Sequence, residues 1–426
     1  MSTMASPDSR NAELELEPEP EPDYHVLALN SGSSSLKFGL YRVGPLQAEV
    51  MLSGEADAIG DEKGTFCARD SRQNKLISET VWFASQREAF VRIAKLLAES
   101  DLPVPSAVGH RIVHGGARLR QHCVIDDWVV RQLAAAVSFA PLHIPSALSV
   151  IQFAQEHFPG IPQVACFDTT FHAELAEVAR VLPVPRELQA EGIQRYGFHG
   201  LSCESIVHQL VHQLAHNLPK RLVIAHLGNG ASVTAVRDGK SIDTSMGLTP
   251  TGGVMMGTRS GDLDPGVLIY LMREKKFDVA ALEEMVDHRS GLLGVSGIGS
   301  DMRRLREAAS VNADARLAVQ MFCYAVRKQV AAMIAALDGV DLIVFTGGIG
   351  ENDWESRAEI CLGLSWIGVT LDQARNRSAN KPISDALQNT LQNTIHDPAS
   401  RCAVLVLASE EDEQIARHTW TILHPE

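Results

Sequence analysis

Apolar residues along this chain gather in short runs, and two of those runs stop abruptly at clusters of Gly, Ser and Asn. Residues 222–225 (Leu-Val-Ile-Ala) predict a buried strand that meets the corner His226-Leu227-Gly228-Asn229-Gly230-Ala231-Ser232. A second strand is expected over 233–237, followed by Asp238-Gly239, a dipeptide that joins hairpin strands. The same order occurs earlier. Residues 26–29 (Val-Leu-Ala-Leu) lead into Asn30-Ser31-Gly32-Ser33-Ser34-Ser35, and a returning strand over 36–41 carries Lys37. Two strand–corner–strand units, one starting at residue 26 and the other at 222, predict a duplicated fold. Small corner residues let backbone N–H groups approach an anion, so each half is a candidate phosphate loop. Such corners also simply join strands.

Elsewhere the period changes. Residues 86–100 read as an amphipathic helix with Phe90, Ile93, Leu96 and Leu97 on one face. Residues 107–112 are a short strand carrying Arg111 towards the turn His114-Gly115-Gly116. An arginine in an apolar strand needs an anionic partner, either a ligand or a structural carboxylate. Residues 140–145 form a proline-bracketed turn presenting His143, and a strand over 164–167 delivers Asp168 at its carboxyl end. Ligands gather at such ends in α/β folds. His199 sits between Gly197 and Gly200, and Arg259 lies in Gly257-Thr258-Arg259-Ser260-Gly261-Asp262, where little shields it from an oxyanion. Asp264-Pro265 reads as an N-cap and first helical position, so a helix N-terminus is expected to face the same region. A capped helix start is expected at Asp301-Met302-Arg303, and a buried helix over 318–337. A buried strand over 341–345 enters a loop, Gly347-Gly348-Ile349-Gly350-Glu351-Asn352, of nucleotide-binding type. Residues 370–398 read as irregular surface, 403–407 as a last buried strand, and a helix follows Glu411.

Charge narrows the function. A net charge of −14 lacks the basic face of a nucleic-acid binder. Residues 1–23 hold seven acids against Arg10 and a Glu-Pro alternation, so a disordered acidic extension is expected. It has neither the basic start nor the apolar core of a secretory signal. No apolar run has the length of a membrane span. Seven scattered cysteines without a Cys-x-x-Cys pair fit reduced thiols, and a cytoplasmic protein is expected. The histidines lack the His-Glu-x-x-His spacing of a zinc site, and neither a Walker A sequence nor a Gly-x-Gly-x-x-Gly fingerprint occurs.

Six segments in order, Asn30 to Lys37, Gly109 to Gly116, Gly197 to Gly200, His226 to Gly230, Met256 to Asp262 and Gly347 to Asn352, together resemble the acetate kinases. The resemblance runs from Val26 to Arg417. It implies an α/β protein of two duplicated ribonuclease H-like domains around an interdomain cleft, the actin-like ATPase fold. The expected domains are 24–168 plus 409–426, for carboxylate and phosphoryl group, and 169–408, for nucleotide. It further implies a homodimer and reversible, direct in-line transfer of the γ-phosphoryl of ATP to acetate, with Mg²⁺ (or Mn²⁺) as cofactor. By the same resemblance Arg111 holds the acetate carboxylate, Arg259 the phosphoryl in flight, and His199 an equatorial oxygen. Asn30, Ser33 and Lys37 border that phosphoryl group. Asp168, Glu411 and Asn30 organise the metal, with His143 and His226 in support. Val113, Leu142, Phe198 and Pro250 face the acetate methyl. Leu227, Gly228, Asn229, Gly230, Asp301, Met302, Arg303, Gly348, Ile349, Gly350, Glu351 and Asn352 complete the nucleotide set.

The chain departs from the family pattern in Leu201-Ser202-Cys203, where Thr-Ser-His is usual, so at Leu201 and Cys203, at Ile144 (Asn), and at Thr251-Gly252-Gly253. No proposed reacting residue is missing, so activity is expected, with altered rate or affinity. Two alternatives stand beside acetate: propionate or another short carboxylate as substrate, or an ATP-binding module that has lost transfer.

Overall fold

The computed structural model describes residues 23–32, 34–141, 143–214, 217–379 and 393–425. Most of the acidic extension (1–22), Ser33, Leu142 and residues 380–392 of the expected surface stretch lie outside them.

Both hairpins read from the sequence are present. The first apolar run forms β1 (Tyr24–Ser31) and returns antiparallel as β2 (Leu36–Val43). The meander continues through β3 (Ala48–Asp57), β4 (Thr65–Asp70) and β5 (Lys75–Thr80). On the other side of β1 lies β6 (Ala107–Ile112), parallel to it; β7 (Cys123–Val124) and β8 (Gln163–Phe167) complete eight strands in the order β5-β4-β3-β2-β1-β6-β8-β7. The second sheet comprises β9 (Arg221–Leu227), β10 (Ala231–Arg237), β11 (Lys240–Thr244), β12 (Leu342–Thr346) and β13 (Ala403–Val406), ordered β11-β10-β9-β12-β13. Five strands of the first sheet, β3-β2-β1-β6-β8, repeat that order and the same directions, an antiparallel meander continued by two parallel strands. The duplication is therefore a duplication of topology.

Central strands are apolar on both faces because helices cover both. Leu27 and Leu29 of β1 pack with Phe90, Ile93 and Leu97 of the helix Gln86–Glu99. Val26 and Ala28 point the other way, onto Ile415 and Ala416 of the C-terminal helix Glu411–Leu423. In the second sheet Val223 and Ala225 share a core with Phe322, Val326 and Val330 of the helix Ala313–Ala336. Leu222 and Ile224 pack on Ile206 and Leu210 of the helix Gly200–Gln213. The helices Gly200–Gln213 and Glu411–Leu423 meet between the sheets, where His418 bonds Glu204 at 2.7 Å.

Three expectations need correction. The glycines after β12 open a helix, Gly347–Asn352, rather than a loop. The helix expected from 318 begins at Ala313, because Asn312 caps it through the amides of Asp314 and Ala315. The stretch near 370–398 is partly core: Asn376 and Ile395 are buried, and Asn376 accepts from the buried Arg357 at 2.8 Å.

Candidate active site

Three parallel strands of the first sheet end side by side and deliver Asn30, Arg111 and Asp168. Arg111 donates from Nε (3.0 Å) and Nη2 (2.6 Å) to Asp168 Oδ2, and from Nη1 to Asn30 Oδ1 at 3.1 Å. The anionic partner required by an arginine in this strand is thus Asp168. Burial pushes the Asp168 carboxyl up, to about 6, against the pull of Arg111. Asn30 Nδ2 donates to Glu411 Oε2 and Asp412 Oδ1, each at 3.0 Å, in the first turn of the C-terminal helix. On β2, burial pulls the Lys37 amine down, but Glu55, Asp412 and Glu411 outweigh it and hold the amine above its ordinary range. Asp168 Oδ1 is buried without a hydrogen-bond partner among the described residues. A bare carboxylate oxygen beside Glu411 is the hard donor set that suits Mg²⁺.

The second half supplies the opposite wall. His199 adopts the left-handed conformation (φ 58°) at the N-cap of the helix Gly200–Gln213, which turns its ring back towards the β9–β10 hairpin. Its Nδ1 lies 2.9 Å from Ser232 Oγ, and the ring stacks on His226 at 4.2 Å. His226 Nδ1 in turn lies 2.8 Å from Ser202 Oγ. Burial holds His226 down at about 4 and His199 well below its ordinary value, so both rings are neutral at neutral pH. A Cβ on Gly230 would stand 3.1 Å from His199 Nε2 and 3.6 Å from Arg259 Nη1. The hairpin glycine thus lets a histidine and a guanidinium reach the same spot.

Arg259 is placed by its Nη1 bond to the Pro250 carbonyl (3.2 Å) and by His143 Nε2, 3.4 Å from Nη2. Burial and the Arg259 and Arg111 cations push His143 down to about 3, which leaves a lone pair facing Arg259. Among the described residues Arg259 has no ion pair. The two arginines differ: Arg111 is neutralised by Asp168, whereas Arg259 is a half-buried cation awaiting an anion.

One cavity of about 710 Å³ joins these walls, lined by Asn30, Lys37, Arg111, His199, His226, Gly228, Asn229, Gly230, Gly348, Glu351 and Glu411. A second, of about 620 Å³, shares Gly228, Asn229 and Gly348 with the first and adds Asp301, Met302, Arg303, Ile349 and Asn352. A third, about 360 Å³ and mostly apolar, lies at Pro250, His143 and Arg259.

Several expected residues do not reach these spaces. Leu227 is buried in the core, and Gly350 packs beneath the second hairpin, near the Ala225 carbonyl. Val113 and Phe198 are buried in the core that adjoins Ala140. Asp264 caps its helix as expected; the helix Pro265–Lys275 buries none of its residues and meets only the apolar cavity beside Pro250 and Arg259, through Leu268. Glu351 lines the first cavity while accepting from the amides of Gly347 and Ser409, both at 3.0 Å, which ties the second sheet to the C-terminal helix. Trp354 and Arg306 line the second cavity and were not singled out from sequence. The signal for Trp354 was its place just after the Gly347–Asn352 stretch; Arg306, one turn beyond a capped helix start, carries none. Of the departures, Cys203 points into the apolar core with Ile206, Leu222 and Ile224, away from the cavities.

The whole chain has relatives. Residues 25–417 match the model of the Acetokinase family. An acetate kinase of Methylocella silvestris is 40% identical over 410 residues, covering 93% of this chain and 98% of the relative. The crystal structure of Porphyromonas gingivalis acetate kinase superposes with a TM-score of 0.80 at 34% identity, over 94% of this chain and all of that one. A propionate kinase from Francisella tularensis superposes with a TM-score of 0.83 at 35% identity, over 94% of this chain and 100% of that one. A duplicated actin-like α/β fold, a cleft with a free arginine between its halves, and relatives along nearly the whole length converge: the chain is a kinase and belongs to the acetokinase family.

Proposed function

We propose that the protein is an acetate kinase, which reversibly transfers the γ-phosphoryl group of ATP to acetate, giving acetyl phosphate and ADP. One observation carries the reading: Arg259, which has no ion pair among the described residues, and the Nε2 of His199 converge at Gly230, across the cavity from Asn30 and Arg111, with Asp168 buried behind Arg111. Acetate is ionised at neutral pH, so no strong base is required. The difficulty is bringing one anion to another, and phosphoryl transfer depends mainly on positioning and charge. Arg259 neutralises the phosphoryl oxygens. Ser232 Oγ lies 2.9 Å from Nδ1 of His199, and in the tautomer in which the hydroxyl donates, Nε2–H is left to bond an equatorial oxygen. Arg111, already held by Asp168 and Asn30, has further N–H groups for the acetate carboxylate. Asp168 and Glu411, with Asn30 alongside, would hold Mg²⁺, which supplies charge neutralisation on the β- and γ-phosphate oxygens. Gly228, Asn229 and Gly230 meet the phosphates, and Met302, Ile349 and Asn352 flank the nucleoside.

A second substrate reading has support in the apolar cavity beside Pro250 and Arg259, which could take a longer acyl chain. A methylene is worth only ~1–3 kcal/mol in such a pocket, so discrimination is modest. Trapping the acyl phosphate with hydroxylamine, using acetate, propionate and butyrate, ranks kcat/KM. Acetate ranks first on this proposal; a longer acid at the top replaces the substrate, and silence with all three, from protein that binds ATP, ends the proposal of a short-chain carboxylate as acceptor.

The same proposal divides the chain into 24–168 plus 409–426 and 169–408, and places it in the cytoplasm, where the seven cysteines, all unpaired thiols, stay reduced. It also makes the protein a homodimer: the helix Pro265–Lys275 exposes Val267, Ile269, Tyr270 and Met272 around its circumference, apolar surface that a second copy would cover. Sedimentation equilibrium of the full chain reads this directly.

A further inference from the structure

The helix Gly200–Gln213 begins at His199 but carries a second pair of imidazoles that the proposed chemistry does not use. His208 and His212 are one turn apart on one face, and their Nε2 atoms stand 2.9 Å apart. The rings lie 4.3 Å centroid to centroid. Two nitrogens bound to one metal ion at about 2.05 Å and at right angles also stand about 2.9 Å apart, so the pair already has the bite of a chelate. We propose that His208 and His212 form a binding site for a divalent first-row transition-metal ion, with water completing the coordination.

Imidazole ligands at right angles favour Cu²⁺ or Ni²⁺, and Cu²⁺ binds such nitrogen sites most tightly. Burial, with help from the Arg417 cation, holds His208 down at about 4, so the ring is neutral at neutral pH; the two rings now share a hydrogen bond, and a metal ion would take the place of its proton. Arg417 would oppose a metal ion, but Glu413 neutralises it through bonds of 2.7 and 2.9 Å. Mg²⁺ prefers oxygen ligands and does not compete here. At 1.5 Å per residue His208 lies roughly 13 Å along the helix from His199, so the site is separate from the cleft. The other candidate cluster, His122, Glu204 and His418, is weaker on chemical grounds. His122 Nδ1 accepts the Phe167 amide at 3.0 Å, which puts the ring proton on Nε2 and leaves no lone pair towards Glu204.

The test is titration of metal-stripped full-length protein with CuCl₂, followed by calorimetry and by electron paramagnetic resonance. Wild type should take up one saturable equivalent with coupling to two imidazole nitrogens, and its Tm should rise with Cu²⁺. The double variant His208→Gln/His212→Gln should lose that signal and the Tm response. If the double variant fails to fold, the single variant His212→Gln decides, since that ring is exposed and its loss alone should remove the two-nitrogen signal. A wild type without the signal, or a folded variant that keeps it, overturns the site. Neither outcome bears on the kinase reading.

Discussion

Arg111 reaches Asp168 from the adjacent strand and donates to a single carboxylate oxygen through both Nε and Nη2, leaving the other oxygen bare. This arrangement separates the two arginines of the cleft. Arg111 is part of a buried network with Asn30, Glu411 and Asp412, whereas Arg259 has no ion pair among the described residues and only the more distant negative charge of Asp287 acts on it.

Removing the free cation should therefore affect transfer more than folding. Arg259→Ala is expected to lower kcat by roughly 10²–10³-fold, the range seen when one preorganised charge donor is deleted. Nucleotide affinity should change little, because Arg259 lines neither the first nor the second cavity. Steady-state kinetics and a nucleotide titration on the same preparation separate the two effects; equal losses in both would contradict this division.

Removing the partner of the bound arginine should do the reverse. Asp168→Asn removes the one carboxylate bonded to Arg111 and leaves only the more distant charges of Glu411 and Asp412, and deleting one member of a buried pair costs about 3–5 kcal/mol. Urea unfolding should show that loss, and the Mg²⁺ concentration for half-maximal activity should rise. Unchanged stability would mean that Asn30 and Glu411 suffice to hold Arg111.

Buried neutral histidines set the acid limit of the fold. His110, bonded to Gln163 at 2.7 Å, is held by burial at about 4 against an ordinary 6.5. The folded value is depressed, so the unfolded chain binds the proton first. Its contribution is present in full above pH 6.5 and is lost as pH falls towards 4, by about 3 kcal/mol at most. Denaturant midpoints at pH 7.5, 5.5 and 4.5 should fall in that order, and His110→Gln should flatten the trend.

The Cys203 departure is expected to be silent in catalysis. Its thiol lies in the apolar core and burial pushes it up to about 12, so it is neither a nucleophile nor part of the cleft. Cys203→Ala should leave kcat/KM unchanged and lower stability by about 1 kcal/mol. A large fall in kcat/KM would place that helix turn in the working site.

Much of this was legible in the sequence for identifiable reasons. The hairpins announced themselves because apolar runs end at small polar residues, and Asp238-Gly239 takes the positive φ values (51° and 81°) that a tight turn requires. The need of Arg111 for an anion followed from its place in an apolar strand. Which anion did not follow, since Asp168 arrives on another strand and only the parallel register β6–β8 brings the two together. The direction of Cys203 was hidden for a similar reason: position on a helix gives the face only once the neighbouring sheet is known. Arg306 went unseen because surface arginines look alike until a cavity forms beside one. The buried Asn376 and Ile395 were misread as surface because their neighbours in sequence are polar.

Direct transfer between two anchored anions is the central claim, and the stereochemistry at phosphorus tests it. The protein would be given Mg²⁺, acetate and ATP chirally labelled with oxygen isotopes at the γ-phosphorus, and the configuration of the acetyl phosphate formed would be determined. The account predicts that acetyl phosphate forms with inversion. Retention would require a phosphorylated enzyme intermediate, and absence of acetyl phosphate from folded, ATP-binding protein would require another acceptor; either result contradicts it.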